Sequence, residues 1–415
     1  MLNTRLIKVA RDLASVSSID HAAECDPRDA GMTPKGVERI WNAVETLYKT
    51  GTHPAITLVV RRHGKVVLKR AIGHLRGNGP GEDFEEKVPL SPDAPICLFS
   101  ASKAISALLI HKLVEDGRLR LEDRVADYIP EFAAHGKGAV TIRQLMAHRA
   151  GIPTIPMKHP DPAMLQHWDA LVHMLCLAPP SDPQFEQQAY HALTSGFIIG
   201  ELVRRASQRE LREVMDDWIS RPLQLKYLNF GLPRELRAAS PHNYNTGPKP
   251  FWPVTTFSKR ILGVSFERAT EASNGDGFMS AVVPAGNIYA SADDACRVFE
   301  MLLRGGELDG ARVLKAETVA EAIRPVGKIQ YDRMLMVPIR FSAGFILGEN
   351  PFGLYGPTCQ QAFGHLGFLS VMCWADPQRD ISVALLNTGK SIAPSGVLAL
   401  VRVLGAIARS CPKLR

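Results

Sequence analysis

The sequence lacks the markers of several large protein classes. No apolar run approaches the roughly 20 residues of a membrane-spanning helix, and residues 1–20 contain no continuous apolar stretch of the kind found in secretory signals. The seven cysteines form no CxxC pair, which argues against a disulfide framework or a zinc site. The net charge of +7 comes from scattered basic residues without a nucleic-acid-binding block. We therefore expect a cytoplasmic protein without a nucleic-acid partner or a membrane span.

Two common catalytic signatures are also missing. There is no GxSxG elbow, which argues against an α/β-hydrolase, and no HExxH or comparable histidine spacing, which argues against a metal site. Gly77, Gly79 and Gly81 lead into acidic residues rather than a helix, so they do not predict a phosphate loop. We expect no metal and no cofactor. A transit peptide stays open, because Arg5, Lys8 and Arg11 are followed by serines.

Length and composition indicate an ordinary globular protein of more than one packed unit. The chain has 415 residues, of which 46% are hydrophobic and 22% charged. These fractions are typical of globular domains. A chain of this length exceeds a single typical core, so two units that share one site are expected. The sequence does not determine the oligomeric state.

Periodicity predicts a sheet built from both ends of the chain. Helical spacing over 33–48 precedes two strand-like runs around the turn at His63 and Gly64, and alternating or apolar runs return near the C-terminus. We predict an α/β fold of the α+β type, with an antiparallel sheet flanked by helices. The later predicted elements are strands over 341–347, 370–375 and 381–387 and a closing helix over 396–409.

The middle of the chain predicts a mostly helical insert. Residues 194–206 and 210–219 have strong helical patterns, whereas 240–278 is irregular and rich in Pro, Gly and Asn. Its aromatic residues favour a pocket wall over disorder, and we expect this lid-like segment to contact substrate through Phe251, Trp252 and Phe257. The predicted division is an N-terminal extension 1–30, a sheet domain 31–118 with 285–415, and a helical insert 119–284.

Ser100 and Lys103 form an SxxK motif where an apolar segment meets an amphipathic helix. A serine at a helix N-terminus lies near unpaired backbone N–H groups, and a lysine three residues later lies on the same face. This arrangement can activate a serine without a histidine. The motif alone is weak, because the same spacing recurs at Ser410 and Lys413, and an N-cap serine with a solvated lysine is the alternative.

Two further motifs complete an ordered set with the SxxK motif: Tyr190-His191-Ala192, and Gly364-His365-Leu366-Gly367. With this order and spacing, the chain resembles the serine β-lactamase and penicillin-binding-protein superfamily, most closely the family VIII carboxylesterases that are similar to class C β-lactamases. The resemblance extends to segments 140–153 and 284–306 and spans roughly 35–390. It implies a β-lactamase/transpeptidase-like fold.

The resemblance also implies roles for individual residues. Ser100 would be the nucleophile, and Lys103 would accept its proton or lower its pKa. Tyr190 would be the general base for acylation and the proton donor to the leaving group, which requires nearby cations to stabilise its phenolate. The backbone N–H groups of Ser100 and Phe368 would form the oxyanion hole. Gly367, together with Gly364, would let substrate approach the strand edge.

Departures from the lactamase pattern indicate the substrate. His365 replaces a fixed lysine cation, Leu366 replaces a hydroxyl residue, and Ala192 lacks the amide side chain that is common there. A histidine of ordinary pKa is mostly neutral at pH 7, so carboxylated substrates would be accepted only below about pH 6.5. We expect Leu366, His365 and Gly367 to contact substrate, with preference for small neutral esters.

The resulting expectation is a cytoplasmic serine carboxylesterase that works through an acyl-enzyme on Ser100. Its partner would be a small-molecule ester. Three alternatives remain: an acyltransferase or transesterase that uses the same residues with an alcohol acceptor, a β-lactamase or D-amino-acid peptidase, and a catalytically silent scaffold protein.

Overall fold

A computed structural model describes residues 5–82 and 86–414 of the chain. Residues 1–4 of the predicted extension, segment 83–85 of the predicted sheet domain and residue 415 lie outside the described residues. The strands are β1 (Ser17–Ile19), β2 (Ala55–Arg62), β3 (Lys65–Arg76), β4 (Val88–Pro89), β5 (Ile96–Cys97), β6 (Asn229–Phe230), β7 (Tyr244–Asn245), β8 (Ile288–Ala290), β9 (Glu307–Leu308), β10 (Ala311–Arg312), β11 (Gln330–Asp332), β12 (Val337–Ile339), β13 (Ile346–Leu347), β14 (Phe352–Gly353), β15 (Gly356–Pro357), β16 (Phe363–Gly367), β17 (Val371–Asp376), β18 (Ile381–Asn387) and β19 (Gly389–Lys390).

Most helices lie between β5 and β13. A one-turn 3-10 helix, Phe99–Ala101, runs directly into the second α-helix. The α-helices are α1 (Pro34–Lys49), α2 (Ser102–Glu115), α3 (Val125–Tyr128), α4 (Ile142–Met146), α5 (Trp168–Cys176), α6 (Thr194–Ser207), α7 (Leu211–Met215), α8 (Val254–Leu262), α9 (Phe266–Ala272), α10 (Asp276–Ser280), α11 (Ala292–Leu303), α12 (Ala316–Ala322) and α13 (Pro394–Ser410). No helix of the described residues is both long and apolar enough to cross a membrane.

The main sheet joins the two ends of the chain. Its strand order is β1-β3-β2-β18-β17-β16-β13, with β4 added to β3, and every pair in it is antiparallel. At its centre, Val383 of β18 lies opposite Val60 of β2. The prediction of an antiparallel sheet built from both ends and flanked by helices is therefore confirmed.

The two faces of the sheet are buried by different helices. Successive residues of a strand point to opposite faces. Leu58 and Val60 of β2 accordingly join the cluster that contains α1 and α13, whereas Val59 joins the cluster that contains α2 and α11. Because both faces are covered, β2 and β18 are buried at every position rather than at alternate positions.

The predicted N-terminal extension supplies an edge strand of this sheet. Ser17 of β1 lies opposite Ile72 of β3, and beyond β1 the Cys25 N–H donates to Val66 O over 2.9 Å. The segment therefore packs along β3.

The structure differs from the sequence prediction at several elements. The predicted strand 341–347 is reduced to β13, because the chain turns at Ser342–Phe345 with Gly344 at a φ of 111°. Only the first part of the predicted helix over 210–219 is α-helical. It ends at Met215, and the chain continues as a π-helical turn, Asp216–Ser220. The irregular segment 240–278 contains α8, α9 and the start of α10.

A small sheet fixes the turn that carries Ser100. Its strand order is β5-β8-β6, and just after β5 the Leu98 N–H donates to Ile288 O over 2.8 Å. The turn Phe99–Ala101 thus lies between the main sheet and the helical part.

Candidate active site

Ser100 is the accessible hydroxyl of the SxxK motif. It is half-buried in the turn Phe99–Ala101, immediately before α2. The neighbouring Ser102 is fully buried, and its hydroxyl accepts the Ile288 N–H over 3.0 Å. Ser102 therefore has a structural hydrogen bond, and Ser100 is the serine that faces the site.

Lys103 lies one turn further along α2, and its side chain is buried beside Ser100. The Nζ atom is 3.2 Å from Ser100 Oγ, and it donates to the carbonyl oxygens of Ala192, at 2.6 Å, and Ala285, at 3.1 Å. No carboxylate of the described residues forms an ion pair with it. Burial lowers the pKa of Lys103 well below its usual value, because the charged form loses its hydration. Lys103 is therefore an amine that can accept a proton.

Tyr190 contacts both residues of the motif. Its hydroxyl lies beside the Ser100 side chain, which counteracts part of its pKa shift, and Lys103 Nζ lies 4.8 Å from the centre of its ring. Burial raises the pKa of Tyr190, and the charge of Asp332 raises it further. Burial by itself therefore favours the neutral phenol. The role of Tyr190 as a general base, which requires adjacent cations to stabilise its phenolate, stays a prediction.

Tyr190 is held by residues that the sequence analysis missed. Asp332 at the end of β11 accepts the Tyr190 N–H over 3.0 Å, and the His148 ring lies 4.7 Å from the Tyr190 ring. His148 Nδ1 also accepts the N–H of His191 over 3.2 Å. His148 falls in segment 140–153, which carries part of the family resemblance, but no local pattern around Asp332 signals its contact with a residue 142 positions away.

Strand β16 reaches the nucleophile turn because Gly367 has no side chain. A Cβ at Gly367 would lie 2.0 Å from Leu98 O, and a Cβ at Gly364 would lie 2.2 Å from Cys373 O. Both glycines therefore accommodate neighbouring backbone, while the approach of substrate to this strand edge stays a prediction. Beyond Gly367, Phe368 has a φ of 30°, and its ring lies 5.1 Å from that of Phe99. The predicted oxyanion hole, formed by the backbone N–H groups of Ser100 and Phe368, would lie where these two segments adjoin, and it stays a prediction.

His365 is buried and neutral. Its Nδ1 donates to Leu366 O over 2.7 Å, while Nε2 has no partner among the described residues. Burial, reinforced by Lys103, lowers its pKa to about 3. The expectation that His365 becomes a cation below about pH 6.5 is therefore wrong. Leu366 is half-buried against the α1 and α13 face of the sheet.

A cavity of about 470 Å³ lies beside the end of the Tyr190 motif, between 153–160 and helix α8. Phe251, Trp252 and Phe257 are not among the residues that line this cavity. Phe251 and Trp252 are 66% and 78% exposed, and Phe257 is half-buried. Their contact with substrate stays a prediction. The lining residues are Pro153, Thr154, Ile155, Met157, Lys158, Pro160, Leu193, Thr194, Thr255, Thr256, Lys259, Arg260, Ile261, Leu262 and Gly263.

The second SxxK copy lies at the end of α13, on the other side of the sheet. Ser410 is buried there and accepts a hydrogen bond from Arg39 Nη1 over 3.3 Å, while Lys413 is exposed. This copy therefore has the structural character that the sequence analysis gave as the alternative. Within the described ranges, no three side chains of His, Cys, Asp or Glu are grouped as a metal site.

The comparisons with known proteins identify the family of the chain. The Beta-lactamase family model matches residues 41–406. The chain is 30% identical to the esterase/beta-lactamase LipL of Mycobacterium tuberculosis over 72% of this chain and 70% of that protein. A penicillin-binding protein homologue from Caulobacter crescentus has a TM-score of 0.76 at 28% identity, covering 91% of this chain and 98% of that chain.

A second solved structure supports the fold alone, because its identity is low. It is a family VIII carboxylesterase with a TM-score of 0.77 at 24% identity, covering 91% of this chain and 98% of that chain. The predicted fold and superfamily are both confirmed. The chain belongs to the beta-lactamase family of serine hydrolases and has its β-lactamase/transpeptidase-like fold.

Proposed function

We propose that this protein is a serine carboxylesterase that cleaves small neutral esters through an acyl-enzyme on Ser100. One observation carries the proposal. Lys103 is buried 3.2 Å from Ser100 Oγ with a strongly lowered pKa and no carboxylate partner among the described residues. A serine hydroxyl needs such a base, since it cannot attack an ester at neutral pH without losing its proton.

Acylation begins with proton transfer from Ser100 to Lys103. A neutral amine has two N–H bonds and one lone pair, and the two N–H bonds fit the carbonyls of Ala192 and Ala285. The lone pair is then directed at Ser100. As the Oγ–carbon bond forms, the ester carbonyl oxygen becomes an oxyanion, which the N–H groups of Ser100 and Phe368 would stabilise.

Collapse of the tetrahedral intermediate breaks the bond to the leaving alcohol. The Tyr190 phenol lies beside Ser100 and would give the leaving oxygen its proton, and the Lys103 ammonium would then reprotonate Tyr190. In deacylation, water takes the place of the alcohol and loses a proton to neutral Lys103. The tetrahedral intermediate then collapses, Ser100 Oγ takes a proton from Tyr190, and the Lys103 ammonium reprotonates Tyr190. Three proton transfers in each half-reaction thus return the enzyme to its starting state.

The site favours esters over lactams and other substrates that carry a carboxylate. Ala192 presents its carbonyl to Lys103 and has no amide to hold a substrate amide, while His365 stays neutral. The cations that line the cavity, Lys158, Lys259 and Arg260, are exposed and therefore screened by water and salt. The site therefore offers no fixed, buried cation to a substrate carboxylate, and it suits a neutral acyl group better than a charged one.

The relative LipL supports this reading and also a second candidate. Its name combines esterase and beta-lactamase, so β-lactam hydrolysis by Ser100 is the alternative activity.

The cysteines support the proposed cytoplasmic location. All seven are free and six are buried, which suits a reducing compartment.

The experiment that tests the proposal maps a covalent label. Intact mass after treatment with a fluorophosphonate should show one added group, and peptide mapping should place it on Ser100. Ser100→Ala should lose the label and about 10³-fold or more of its turnover of p-nitrophenyl butyrate, because the acyl-enzyme route is gone. Ser410→Ala, in the second SxxK copy, is the matched control and should keep both.

Other outcomes separate the competing functions. A wild-type enzyme that hydrolyses a cephalosporin chromogen faster than the butyrate ester is a β-lactamase. Turnover that shifts from acid to ester product when an alcohol is added marks an acyltransferase. A folded chain with neither label nor burst is a scaffold protein, and the proposal is then wrong.

A further inference from the structure

A second buried lysine lies behind the nucleophile turn. Lys390 of β19 has no solvent exposure, and its Nζ donates to Asn387 O over 2.9 Å. No carboxylate of the described residues forms an ion pair with it. Buried lysines are rare without a partner, and the reaction described above gives this one no task.

The Lys390 Nζ lies against both aromatic rings of the predicted oxyanion hole. It is 4.6 Å from the centre of the Phe99 ring and 5.9 Å from that of Phe368. Phe99 precedes Ser100 directly, and Phe368 would supply the second N–H. One ammonium group therefore contacts a side chain from each half of the oxyanion hole, within the range of cation–π attraction.

Both aromatic residues have backbone conformations that residues other than glycine rarely adopt. Phe99 has a φ of 47° and Phe368 a φ of 30°, which lie on the left-handed side of the backbone map. Non-glycine residues adopt such angles only where surrounding contacts determine them. The two rings and the cation beneath them supply contacts of this kind.

The same cluster fixes the turn that follows Phe368. Asn387 at the end of β18 accepts the Ser370 hydroxyl on Oδ1, at 2.7 Å, and donates from Nδ2 to Ser370 O, at 2.8 Å. Lys390 in turn binds the carbonyl oxygen of Asn387. Strand β18, the 368–370 turn and the nucleophile turn are thus joined at Lys390.

We propose that Lys390 is a positioning residue: its ammonium group holds the Phe99 and Phe368 rings so that the N–H groups of Ser100 and Phe368 converge on the oxyanion. The inference rests on the proposed function. It assigns the lysine no contact with substrate and no proton transfer, and it makes acylation dependent on the charge of Lys390.

That charge is sensitive to pH near neutrality. Burial lowers the pKa of Lys390 to about 7. The titratable neighbours are His53, whose pKa burial lowers to about 3, and Cys97, whose pKa burial raises to about 12, so both are neutral there. As pH rises through about 7, Lys390 loses its proton and the cation–π contact, and acylation should slow.

Lys137 provides a matched control. It is also fully buried, it donates to the carbonyl oxygens of Ala134 and Cys176 at 2.8 and 2.9 Å, and it lies 5.4 Å from the Phe132 ring. It belongs to the helical part of the chain and contacts no residue of the site. Lys137→Met therefore removes a comparable buried cation without touching the oxyanion hole.

The test measures the acylation burst with p-nitrophenyl butyrate from pH 5.5 to 9.5, per fluorophosphonate-labelled site, so that unfolded protein does not count. Lys390→Met should lower acylation at pH 6 by about 10-fold or more, with KM within about twofold, and should lose the alkaline decline. Lys137→Met should melt at a lower temperature and keep the wild-type rate and profile. An unchanged rate and profile in Lys390→Met overturns the inference.

Phe99→Leu covers the case in which Lys390→Met does not fold. It keeps the lysine and removes the nearest ring, so it should show the same loss of acylation and of the alkaline decline. A wild-type rate in Phe99→Leu overturns the inference as well. A wild-type chain that takes no label at Ser100 overturns the proposed function and this inference together, whereas labelled wild type with unaffected variants overturns this inference alone.

Discussion

Lys103 shows how burial alone can turn a lysine into a base. Its neighbours supply two carbonyl acceptors and no ion pair, so nothing compensates the lost hydration of an ammonium group. Tyr190 experiences the opposite effect of the same burial, because its charged form is the anion. The two shifts together support the proposed roles, in which the lysine accepts a proton and the phenol donates one.

Lys103→Arg should abolish turnover while preserving charge. Arginine stays protonated at all working pH values and cannot accept the Ser100 proton, so kcat with p-nitrophenyl butyrate should fall by about 10³-fold or more. For the same reason wild-type activity should rise with pH as Lys103 deprotonates, until loss of the Lys390 charge above about pH 7 lowers it. Lys112→Arg, on the same helix but paired with Glu115 at 2.8 Å, is the control and should be unaffected. Substantial activity in Lys103→Arg would assign the base elsewhere.

Discrimination against anionic acyl groups should not change near neutrality. The pKa of His365 is lowered to about 3, so the ring is neutral throughout pH 5.5–7.5. The ratio of kcat/KM for p-nitrophenyl butyrate to that for p-nitrophenyl hemisuccinate should stay constant within about twofold over this range. A ratio that falls as the pH drops through 6.5 would restore His365 as a titrating anion site.

At the scale of elements, the site depends on the close approach of strand β16 to the nucleophile turn. Gly367→Ala should lower both stability and acylation, since its Cβ would lie 2.0 Å from the backbone oxygen of Leu98 and one of the two segments would have to shift. We expect at least about 10-fold slower acylation per labelled site, measured with the melting temperature. Gly405→Ala inside α13 meets only the end of Arg409 at 3.7 Å and should raise stability by up to about 1 kcal/mol. Wild-type acylation in Gly367→Ala would show that the close approach is dispensable.

Elements with strong periodicity were predictable and those defined by distant contacts were not. The predicted strand 381–387 coincides with β18, and the helix predicted over 33–48 is α1 shifted by one residue. Segment 240–278 was predicted to be irregular, because its helices are too short to show a clear helical periodicity in the sequence. In the site, local motifs brought Ser100, Lys103 and Tyr190 together. The contacts of Asp332 and the pKa directions follow from burial, which no single motif encodes.

At the scale of the whole molecule, buried histidines should make the protein sensitive to acid. Burial lowers the pKa of His53 and His365 to about 3 and of His111 and His191 to about 4. Below pH 6.5 the unfolded chain binds protons that the folded one does not, so stability falls with pH down to these values. Each histidine contributes up to about 1.4 kcal/mol per pH unit.

The four histidines together remove about 5 kcal/mol of stability between pH 7.5 and 5.5, so the melting temperature of a chain of this length should drop by roughly 5 °C. Replacement of a single buried histidine, His111→Gln, should reduce this slope, whereas replacement of the exposed His21 by Gln should leave it unchanged. A melting temperature that is flat over this interval would contradict the assignment of neutral buried rings.

The pairing of β2 with β18 also determines when the enzyme becomes active during its synthesis. Ser100 and Lys103 leave the ribosome early, but strand β16 with Gly367 and the turn with Phe368 come hundreds of residues later. At bacterial or eukaryotic elongation rates, that interval is on the order of tens of seconds. Throughout it the nascent chain carries Ser100 without the second half of its proposed oxyanion hole, so hydrolytic activity should arise only after translation has passed β18.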